Sequence, residues 1–407
     1  MKEAKDLLPW KVTDISLHPY EGFWSFNPSI QFDGETWRCV LRCCDYAMPG
    51  GVTVRSKNAG PVGQQTKNAM VLFDPQSWRV IQVFKMHEKD GLPREACPHI
   101  GYEDMRIFKT DKGGLQGIAA SLHLRRDRPR LVEGVSQHQP PEQVLLSFDA
   151  AYDIVEAQPI RGEGWSGTPQ KNWVPFDHCA EPRFLYSIDK GVMFDAGGSL
   201  HGDLAKVTPS SNRTPPACAL PSFPDPPRPD LPPVEVPRPR RVDHRVNIRG
   251  GDVRILRGGR RAVDALSTRP STRGAALPSV QTSTSRADDS ARLMGSGRIL
   301  LPKYEGLRGG TQLCRVGESS WLGVGHEMKF VGGKKYYWHV WYLVDARGKM
   351  MFASEPMKLA PNGIEFAAGL AVDGERLVVS FGVDDMECKL GETSLSAVLG
   401  ILRPVEQ

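Results

Sequence analysis

Five stretches of this chain repeat one pattern, and that repetition constrains the fold more than any other feature of the sequence. Each stretch opens with polar residues, continues as an apolar strand, turns at Gly, Pro or Asp, and returns as a second strand. The five are FNPSIQFDGETWRCVLRC, YEDMRIFKTDKGGLQGIAASLHL, KNWVPFDHCAEPRFLYSID, GLRGGTQLCRVGESSWLGVGHEM and IEFAAGLAVDGERLVVSFGVDD. Within each stretch, apolar and polar residues partly alternate on both sides of the turn, a pattern that predicts β-hairpins. The turns are expected near Gly34, Gly114, Pro182, Gly317 and Gly374.

A hairpin brings its two ends together, so the opening and returning ends of each unit must lie side by side. Five such units arranged radially converge on one axis, which is the geometry of an all-β, five-bladed β-propeller. No long segment keeps a 3.6-residue periodicity, which argues against alternating helices and strands. A β-sandwich is the alternative, but it does not explain why polar groups recur at the same place in every hairpin.

Residues 206–300 differ in composition from the rest of the chain. They contain 17 Lys and Arg, 8 Asp and Glu, and one aromatic residue, Phe223. Their balance of +9 leaves −4 for the remainder, because the whole chain carries +5. Such a segment cannot bury enough apolar surface to offset its ordering entropy, so we expect a long disordered insertion. It would separate blades one to three (1–205) from blades four and five (301–407).

An Arg-rich arm can also bind a polyanion, but this one lacks the interleaved aromatic residues that stack on bases. We therefore do not expect nucleic acid as a partner. No apolar run reaches about 18 residues, and the first residues, MKEAKDLLPWKV, do not resemble a secretory signal. The eight cysteines show no CxxC spacing, which favours reduced thiols in a cytoplasmic protein over a zinc site. No motif calls for a metal or another cofactor, and no membrane partner is expected.

The open ends of the hairpins collect a mixed set of acids, bases and amides. Such a set suits a polyol, because every sugar hydroxyl both donates and accepts hydrogen bonds. Trp24, Tyr102, Trp173 and Trp338 offer apolar faces for sugar rings, with core packing as the alternative for each. The candidate site residues are Asn27, Arg42, Glu103, Asp104, Arg106, Lys171, Asn172, Arg308, Gln312, His326, Asp384 and Asp385.

Glu103 and Asp104 are the sharpest local signal in this set. On a regular strand their carboxylates face opposite ways, so one is expected to face the channel while the other pairs with a neighbour such as Arg106. A carboxyl group partly removed from water keeps its proton to higher pH and can act as a general acid. A simple salt bridge at the strand end is the alternative.

The cationic candidates suggest a second kind of ligand. Guanidinium and ammonium groups gathered at one place suit phosphate or a sugar phosphate, whereas solvated surface positions are the alternative for each. The cations concerned are Arg42, Arg106, Lys171, Arg308 and His326.

Four motifs, in their order along the chain, resemble the mannoside phosphorylases and hydrolases of glycoside hydrolase family 130. They are EDMRI, KNWVPF, the GGTQ stretch followed by LGVGHEM, and EFAAGLAVDGERLVVSFGVDD. The mannosyltransferases of glycosyltransferase family 108 look similar. The resemblance covers roughly residues 20–200 and 303–400. It implies a five-bladed propeller.

The resemblance also implies an inverting reaction. One Asp protonates the leaving sugar oxygen, in some members through a substrate hydroxyl, and phosphate or water attacks from the other face. By the ED-x-R position that Asp is Asp104, and Arg106 matches the Arg of the motif. Lys171 lies in the block where phosphorylases place a phosphate-binding Lys. His326 and Asp385 match residues that end the fourth and fifth hairpins.

Two departures from the family pattern leave the use of phosphate open. Met105 stands where the family has Pro, and LHLRRDR is the one candidate for the Arg-Asn pair that binds phosphate after the second blade. We expect a carbohydrate-active enzyme that cleaves or transfers a β-mannoside-like glycoside by phosphate or water. The alternative is a catalytically silent propeller that binds a glycan or a protein. The expected partner is a carbohydrate, with inorganic phosphate or a sugar phosphate as a further candidate.

Overall fold

A computed structural model gives the architecture of the chain. It describes residues 2–56, 65–89, 101–112, 114–121, 142–160, 172–189, 191–201, 306–331, 334–361 and 363–406. Lys171 and the whole of 206–300 lie outside these residues. Within them the chain is nearly all β, and its strands form five antiparallel sheets and one short ribbon.

Blades one to three follow one another along the chain. They are preceded by α1 (Ala4–Leu7) and β1 (Lys11–Asp14). Blade one consists of β2 (Trp24–Phe32), β3 (Trp37–Cys44), β6 (Thr66–Phe73) and β7 (Val80–Lys85). Between its second and third strands lie β4 (Tyr46–Ala47), a 3-10 turn (Pro49–Gly51) and β5 (Val54–Arg55).

Blade two consists of β8 (Tyr102–Lys109), β9 (Leu115–Ser121), β10 (Glu142–Phe148) and β11 (Ile154–Pro159). Blade three consists of β12 (Val174–Pro175), β13 (Arg183–Ser187), β14 (Val192–Asp195) and β15 (Leu200–His201).

Blades four and five follow residues 202–305. Blade four begins with β16 (Cys314–Arg315), β17 (Ser320–Val331), β18 (Lys334–Asp345) and β19 (Met350–Ala353). Blade five contains β20 (Glu365–Asp373), β21 (Arg376–Val383) and β22 (Glu387–Ser394). The last elements are α2 (Leu395–Ile401) and β23 (Arg403–Pro404).

The five expected hairpins are confirmed. Each turn falls between the two strands that the sequence assigned to it, as in the Asp33–Gly34 turn between β2 and β3. One strand is longer than expected: β17 does not end at His326 but continues to Val331. The hairpin of β17 and β18 therefore extends beyond the point at which the other inner hairpins open.

The inner strands of the five blades form a closed ring. Neighbouring inner strands contact one another, and a bridge between Phe176 and Leu313 joins blades three and four. Inside the ring, the buried amide of Gln312 donates to the carbonyl oxygens of Ile30 at 2.7 Å and Leu370 at 2.6 Å. Gln312 thus ties blades one, four and five together. We call the end at which the inner strands begin the open face, and the opposite end the turn face.

The ring is sealed by a strand from the other end of the chain. β1 pairs antiparallel with β22 and so completes blade five. The Trp10 ring packs directly on Gly391, and its Nε1 donates to the carbonyl of Leu359 at 3.0 Å. β23 likewise pairs with β19 as a fifth strand of blade four. The first strand of the chain therefore adds to blade five, and the last strand adds to the neighbouring blade four.

The blades pack on one another through large apolar side chains. The expected aromatic sugar faces at Trp173 and Tyr102 are core residues, since they are 0% and 2% exposed. The cysteines among the described residues are buried and form no disulfide. In the part of the chain that the structure describes, no helix is long and apolar enough to cross a membrane.

Gly309 marks a close approach of blades three and four. A Cβ atom there would meet the backbone oxygen of Asn172 and the side chain of Val174. We predict that Gly309→Ala lowers the free energy of unfolding by about 1–3 kcal/mol, because backbone cannot give way as a flexible side chain can. Gly400→Ala is the matched control, since its Cβ would enter open space within α2. Urea unfolding that shows equal stability for the two variants would contradict the close packing.

Candidate functional site

Three polar residues at the open face have left-handed backbone conformations. They are Asn27 (φ 48°), Asp104 (φ 49°) and Asn172 (φ 64°), each on or next to the inner strand of its blade. In blades one and two the residue sits in a bulge, because the register shifts between Phe26 and Ser29 and between Glu103 and Arg106. Asn and Asp tolerate this region at about 1–2 kcal/mol, and such strain concentrates at functional sites.

The bulge at Asp104 overturns one sequence expectation. Glu103 and Asp104 do not take opposite directions, because the left-handed residue interrupts the alternation of the strand. Both carboxylates approach Arg42, with Asp104 Oδ1 2.8 Å from Nη1 and Glu103 Oε1 3.4 Å from Nη2. Arg106 does not pair with either carboxylate in these contacts but donates to the backbone oxygen of Asp104 at 2.9 Å.

The Asp104 carboxylate is held by two hydrogen bonds and is still partly exposed to solvent. Its Oδ1 accepts from Asn27 Nδ2 at 2.9 Å as well as from Arg42. The side chain of Asp104 is 14% exposed, whereas that of Arg42 is 6% exposed. The carboxylate is therefore more accessible from the open face than the guanidinium that holds it.

Arg42 is enclosed by aromatic rings and acidic groups. Its guanidinium lies 5.1 Å from the Phe26 ring centre, and Nη2 donates to the Tyr46 hydroxyl at 3.1 Å. Burial alone lowers the pKa of Arg42, but interactions with Cys44, Tyr46, Asp104 and Glu103 raise it well above its usual value. Sequence reasoning missed Tyr46, because it lies past the end of β3 in a ribbon that no local pattern predicts.

Arg106 extends the site toward blades three and four. Its guanidinium donates to Asn172 Oδ1 at 3.1 Å and to the carbonyl of Gly310. Burial lowers its pKa to about 10, so it remains charged at neutral pH. Through Arg106 the structure joins Asp104 and Asn172, which the sequence predicted to share one site.

His326 belongs to an aromatic cluster beside Arg106. Its ring centre lies 4.8 Å from that of Tyr337 and 5.2 Å from that of Phe366. Phe366 also faces the Arg106 guanidinium at 5.6 Å. Neither Tyr337 nor Phe366 was predicted, although Phe366 stands at the opening of the fifth repeat. Arg308 pairs with His326 through the backbone, and its side chain is exposed.

The two acids that end β21 lie on the Tyr46 side of the site. Both have left-handed conformations, with φ 53° at Asp384 and 49° at Asp385. Asp384 uses Oδ1 to accept from the Ile364 amide at 2.7 Å and its backbone oxygen to accept from Met48 at 2.9 Å. Asp385 acts electrostatically on the Tyr46 phenol. Blade five thus fixes the loop that carries Tyr46.

The candidate residues therefore separate by position. A contact chain joins Asn27, Arg42, Glu103, Asp104, Arg106 and Asn172, and His326 reaches it through Phe366. Asp384 and Asp385 border it, and Arg308 is exposed beside His326. Gln312 is fully buried between blades one, four and five. Lys171 lies outside the described residues. Whether each contacts a ligand stays a prediction.

A cavity of about 330 Å³ lies elsewhere, between the turn-face ends of blades one and two. It is lined by Arg38, Leu115, Phe148, Asp149, Ala150 and Tyr152, none of which belongs to the candidate set. Arg38 pairs there with Asp33 at 2.7 Å. We place the site at the open face, because the strained acid and its polar partners converge there.

A buried acid–base pair lies next to the aromatic cluster. His339 Nδ1 is 3.6 Å from Glu365 Oε2, and neither side chain is exposed. Burial, with a smaller effect of Lys358, lowers the pKa of His339 to about 3. Burial raises the pKa of Glu365 to about 7. His339 is therefore neutral, and its Nε2 accepts from the Ala367 amide at 3.3 Å.

This pair predicts a pH-dependent effect of Glu365→Gln. The folded protein keeps the Glu365 proton up to about pH 7, whereas the unfolded chain loses it near 4.5. The associated stability is therefore present at low pH and lost as the pH rises through 7. Relative to the parent, the variant should gain about 2–3 kcal/mol in unfolding free energy from pH 5 to pH 8. His339 is common to both proteins and cancels. Urea unfolding that gives the same difference at both pH values would contradict the buried carboxyl.

Comparisons with known proteins support the fold. No protein-family model and no curated protein matches the sequence. One similar solved structure is described as belonging to the GH130 family of mannoside phosphorylases, said to contain glycoside hydrolases that target β-1,2 mannosidic linkages in Candida mannan. It is 9% identical, with 93% of this chain and 86% of that one covered at a TM-score of 0.51.

A glycosyl hydrolase from Bacteroides ovatus is 10% identical, with 100% of this chain and 94% of that one covered at a TM-score of 0.51. At such identities the likeness concerns the course of the backbone and not the residues of the site. The ring of five blades and these two alignments lead to one conclusion. The chain has the five-bladed β-propeller fold seen in GH130 mannoside phosphorylases and related glycoside hydrolases.

Proposed function

We propose that this protein is a carbohydrate-active enzyme that cleaves or transfers a β-mannoside-like glycoside, with Asp104 as the general acid. One observation carries the proposal: a strained, partly exposed carboxylate stands at the open face among side chains that both donate and accept hydrogen bonds. The fold supports it, because structures with this fold are described as mannoside phosphorylases and glycosyl hydrolases.

The proposed reaction inverts the anomeric carbon. The bond between that carbon and the leaving oxygen breaks as Asp104 supplies a proton to the oxygen, directly or through a substrate hydroxyl. Phosphate, or water that gives up one of its protons to the solvent, forms the new bond from the opposite face of the sugar. Asn27 and Asn172 offer amide groups to the sugar hydroxyls, while Glu103 offers a second carboxylate.

Arg42 sets a condition on this mechanism. A guanidinium 2.8 Å from the Asp104 carboxylate stabilises its ionised form, which is not the form that gives a proton. The hydrogen bonds of catalytic groups often rearrange when substrate binds. We propose that sugar hydroxyls replace Asp104 as a partner of Arg42, which lets the acid take up a proton in the complex.

Phosphate has fewer candidate partners than the sequence suggested. The guanidinium groups of Arg42 and Arg106 already donate to protein oxygens on the site. Among the described cations of the candidate set, the exposed Arg308 is placed to meet a solvent anion. Lys171 lies outside the described residues, so its proposed role in phosphate binding rests on the sequence.

The Arg42–Asp104 contact also favours a second candidate, a catalytically silent propeller that binds a glycan. A carboxylate held ionised by a guanidinium is a good acceptor for sugar hydroxyls and needs no proton transfer. This candidate predicts sugar binding without turnover.

Product analysis with the full-length protein separates the candidates. A panel of β-linked manno-oligosaccharides is incubated with and without inorganic phosphate, and the anomeric configuration of the product is followed by NMR. Product that requires phosphate indicates phosphorolysis, and product without phosphate indicates hydrolysis; both support the enzyme if the configuration inverts. Calorimetric binding of the same sugars without any product would support the silent module instead.

A further inference from the structure

Arg106 is an unusual residue for the interior of the ring. It is 1% exposed, and its hydrogen bonds go to neutral oxygens, namely the backbone oxygens of Asp104 and Gly310 and the side-chain oxygen of Asn172. Its guanidinium also lies over the face of Phe366 and interacts electrostatically with the Asp104 carboxylate. Burying a guanidinium is unfavourable unless its donors are satisfied. Here the acceptors come from three different blades.

The contact with Asp104 falls on a backbone oxygen inside the bulge. Nη1 of Arg106 donates to the Asp104 backbone oxygen at 2.9 Å, within the bulge where φ of Asp104 is 49°. An ordinary strand conformation would turn that oxygen elsewhere and restore the alternation of side chains. The same bond therefore fixes both the oxygen and the direction of the carboxylate.

Blade one has a comparable arrangement. Asn27 has the same left-handed conformation at the corresponding position. The carbonyl of the following residue, Pro28, accepts from the hydroxyl of Ser380 in blade five. In both blades a buried side chain holds a carbonyl of the bulge, but in blade two that side chain is charged and also reaches blades three and four.

We infer that Arg106 is a positioning residue for Asp104: by binding the backbone oxygen of Asp104 and anchoring to Asn172 and Gly310, it aims the carboxylate at the open face. This inference rests on the proposed function in assigning a catalytic purpose to Asp104. The geometry itself does not depend on it. Arg106 acts through Asp104 and does not contact the substrate.

The test compares Arg106→Gln, which removes the charge and most donors, with Arg106→Lys, which keeps a charged donor. Crystal structures of both variants give φ of Asp104 and the distance from its Oδ1 to Arg42 Nη1. We expect Arg106→Gln to lose the left-handed conformation or the 2.8 Å contact, and Arg106→Lys to retain both. Should the Gln variant not fold, the Lys variant decides, because an Arg106→Lys protein that keeps both features yet loses kcat as strongly as is expected for Arg106→Gln would overturn the inference.

Kinetics supply the second readout. On a turned-over β-mannoside, Arg106→Gln should lower kcat about 10- to 100-fold and change KM less than about threefold, because misplacement by an ångström harms the transition state more than binding. Arg106→Lys should recover most of kcat. Arg183→Gln, at a half-buried arginine that stacks on Phe176 in blade three, is the matched control and should leave both constants unchanged.

The outcomes keep the two proposals apart. An Arg106→Gln structure in which Asp104 keeps its conformation and its contact with Arg42 overturns the positioning role, whatever the activity. Equal losses of kcat in the Gln and Lys variants with both structures unchanged would do the same. A parent protein that turns over no mannoside would remove the proposed function, while the structures would still decide what holds Asp104.

Discussion

The Asp104→Asn variant is expected to lose about 10²–10⁴-fold in kcat on any β-mannoside that the parent turns over. An amide oxygen can still accept from Asn27 and Arg42, as the carboxylate does now. Glu103, 3.4 Å from Arg42, still balances the buried guanidinium. The fold and the sugar affinity should therefore survive, and only the transferable proton is lost.

Steady-state kinetics and calorimetry on the same preparation check this result. Asp111→Asn is the matched control, because Asp111 is an exposed acid in the hairpin turn at the other end of the same inner strand. It should leave kcat unchanged. An Asp104→Asn variant that keeps more than about a tenth of the parent kcat would remove Asp104 from the role of general acid.

Deletion of residues 2–14 is expected to abolish cooperative unfolding. The deletion removes β1, leaves the edge of β22 unpaired, and takes Ala4, Leu8 and Trp10 from the core shared by blades four and five. In a closed ring each blade supports its neighbours, so opening one seam weakens all of them. The loss should appear as a broad, early urea transition followed by circular dichroism.

A single substitution in the segment before β1 tests the same contribution to stability on a smaller scale. Trp10→Ala removes the ring that packs on Gly391 and the bond to Leu359, and should lower the unfolding free energy by about 3 kcal/mol. Val12→Thr is the control within the same strand, since Val12 is 43% exposed and should change stability by less than about 0.5 kcal/mol. A truncated protein with the parent's urea midpoint would show that β1 does not seal the ring.

The five hairpins were predictable because their signals are local. Gly34 and Gly374 adopt positive φ (101° and 59°) in the turns between strands. An Asp-Gly pair between two apolar stretches predicts such a turn. The partner of β1 was not predictable. KVTD pairs with residues 389–392, and nothing in those four letters specifies an edge so far along the chain.

The convergence of the polar hairpin ends was predictable, but the local geometry of their side chains was not. The polar ends of the hairpins do converge, because hairpin closure and radial packing dictate it. The predicted opposite directions of the Glu103 and Asp104 side chains were wrong, because no sequence pattern revealed the bulge that lets both reach Arg42. The sequence predicts Gln312 as a ligand contact, yet its buried amide donates to the backbone oxygens of Ile30 and Leu370 in two other blades.

The most direct test of the account is a crystal structure of Asp104→Asn with a bound β-linked mannobiose. We expect the sugar at the open face, with its glycosidic oxygen, or a hydroxyl next to it, about 3 Å from the side chain at position 104. Other hydroxyls should contact Asn27 or Arg42. A sugar bound only in the turn-face cavity beside Arg38 and Tyr152, or no sugar at concentrations that saturate the protein in solution, would contradict the account.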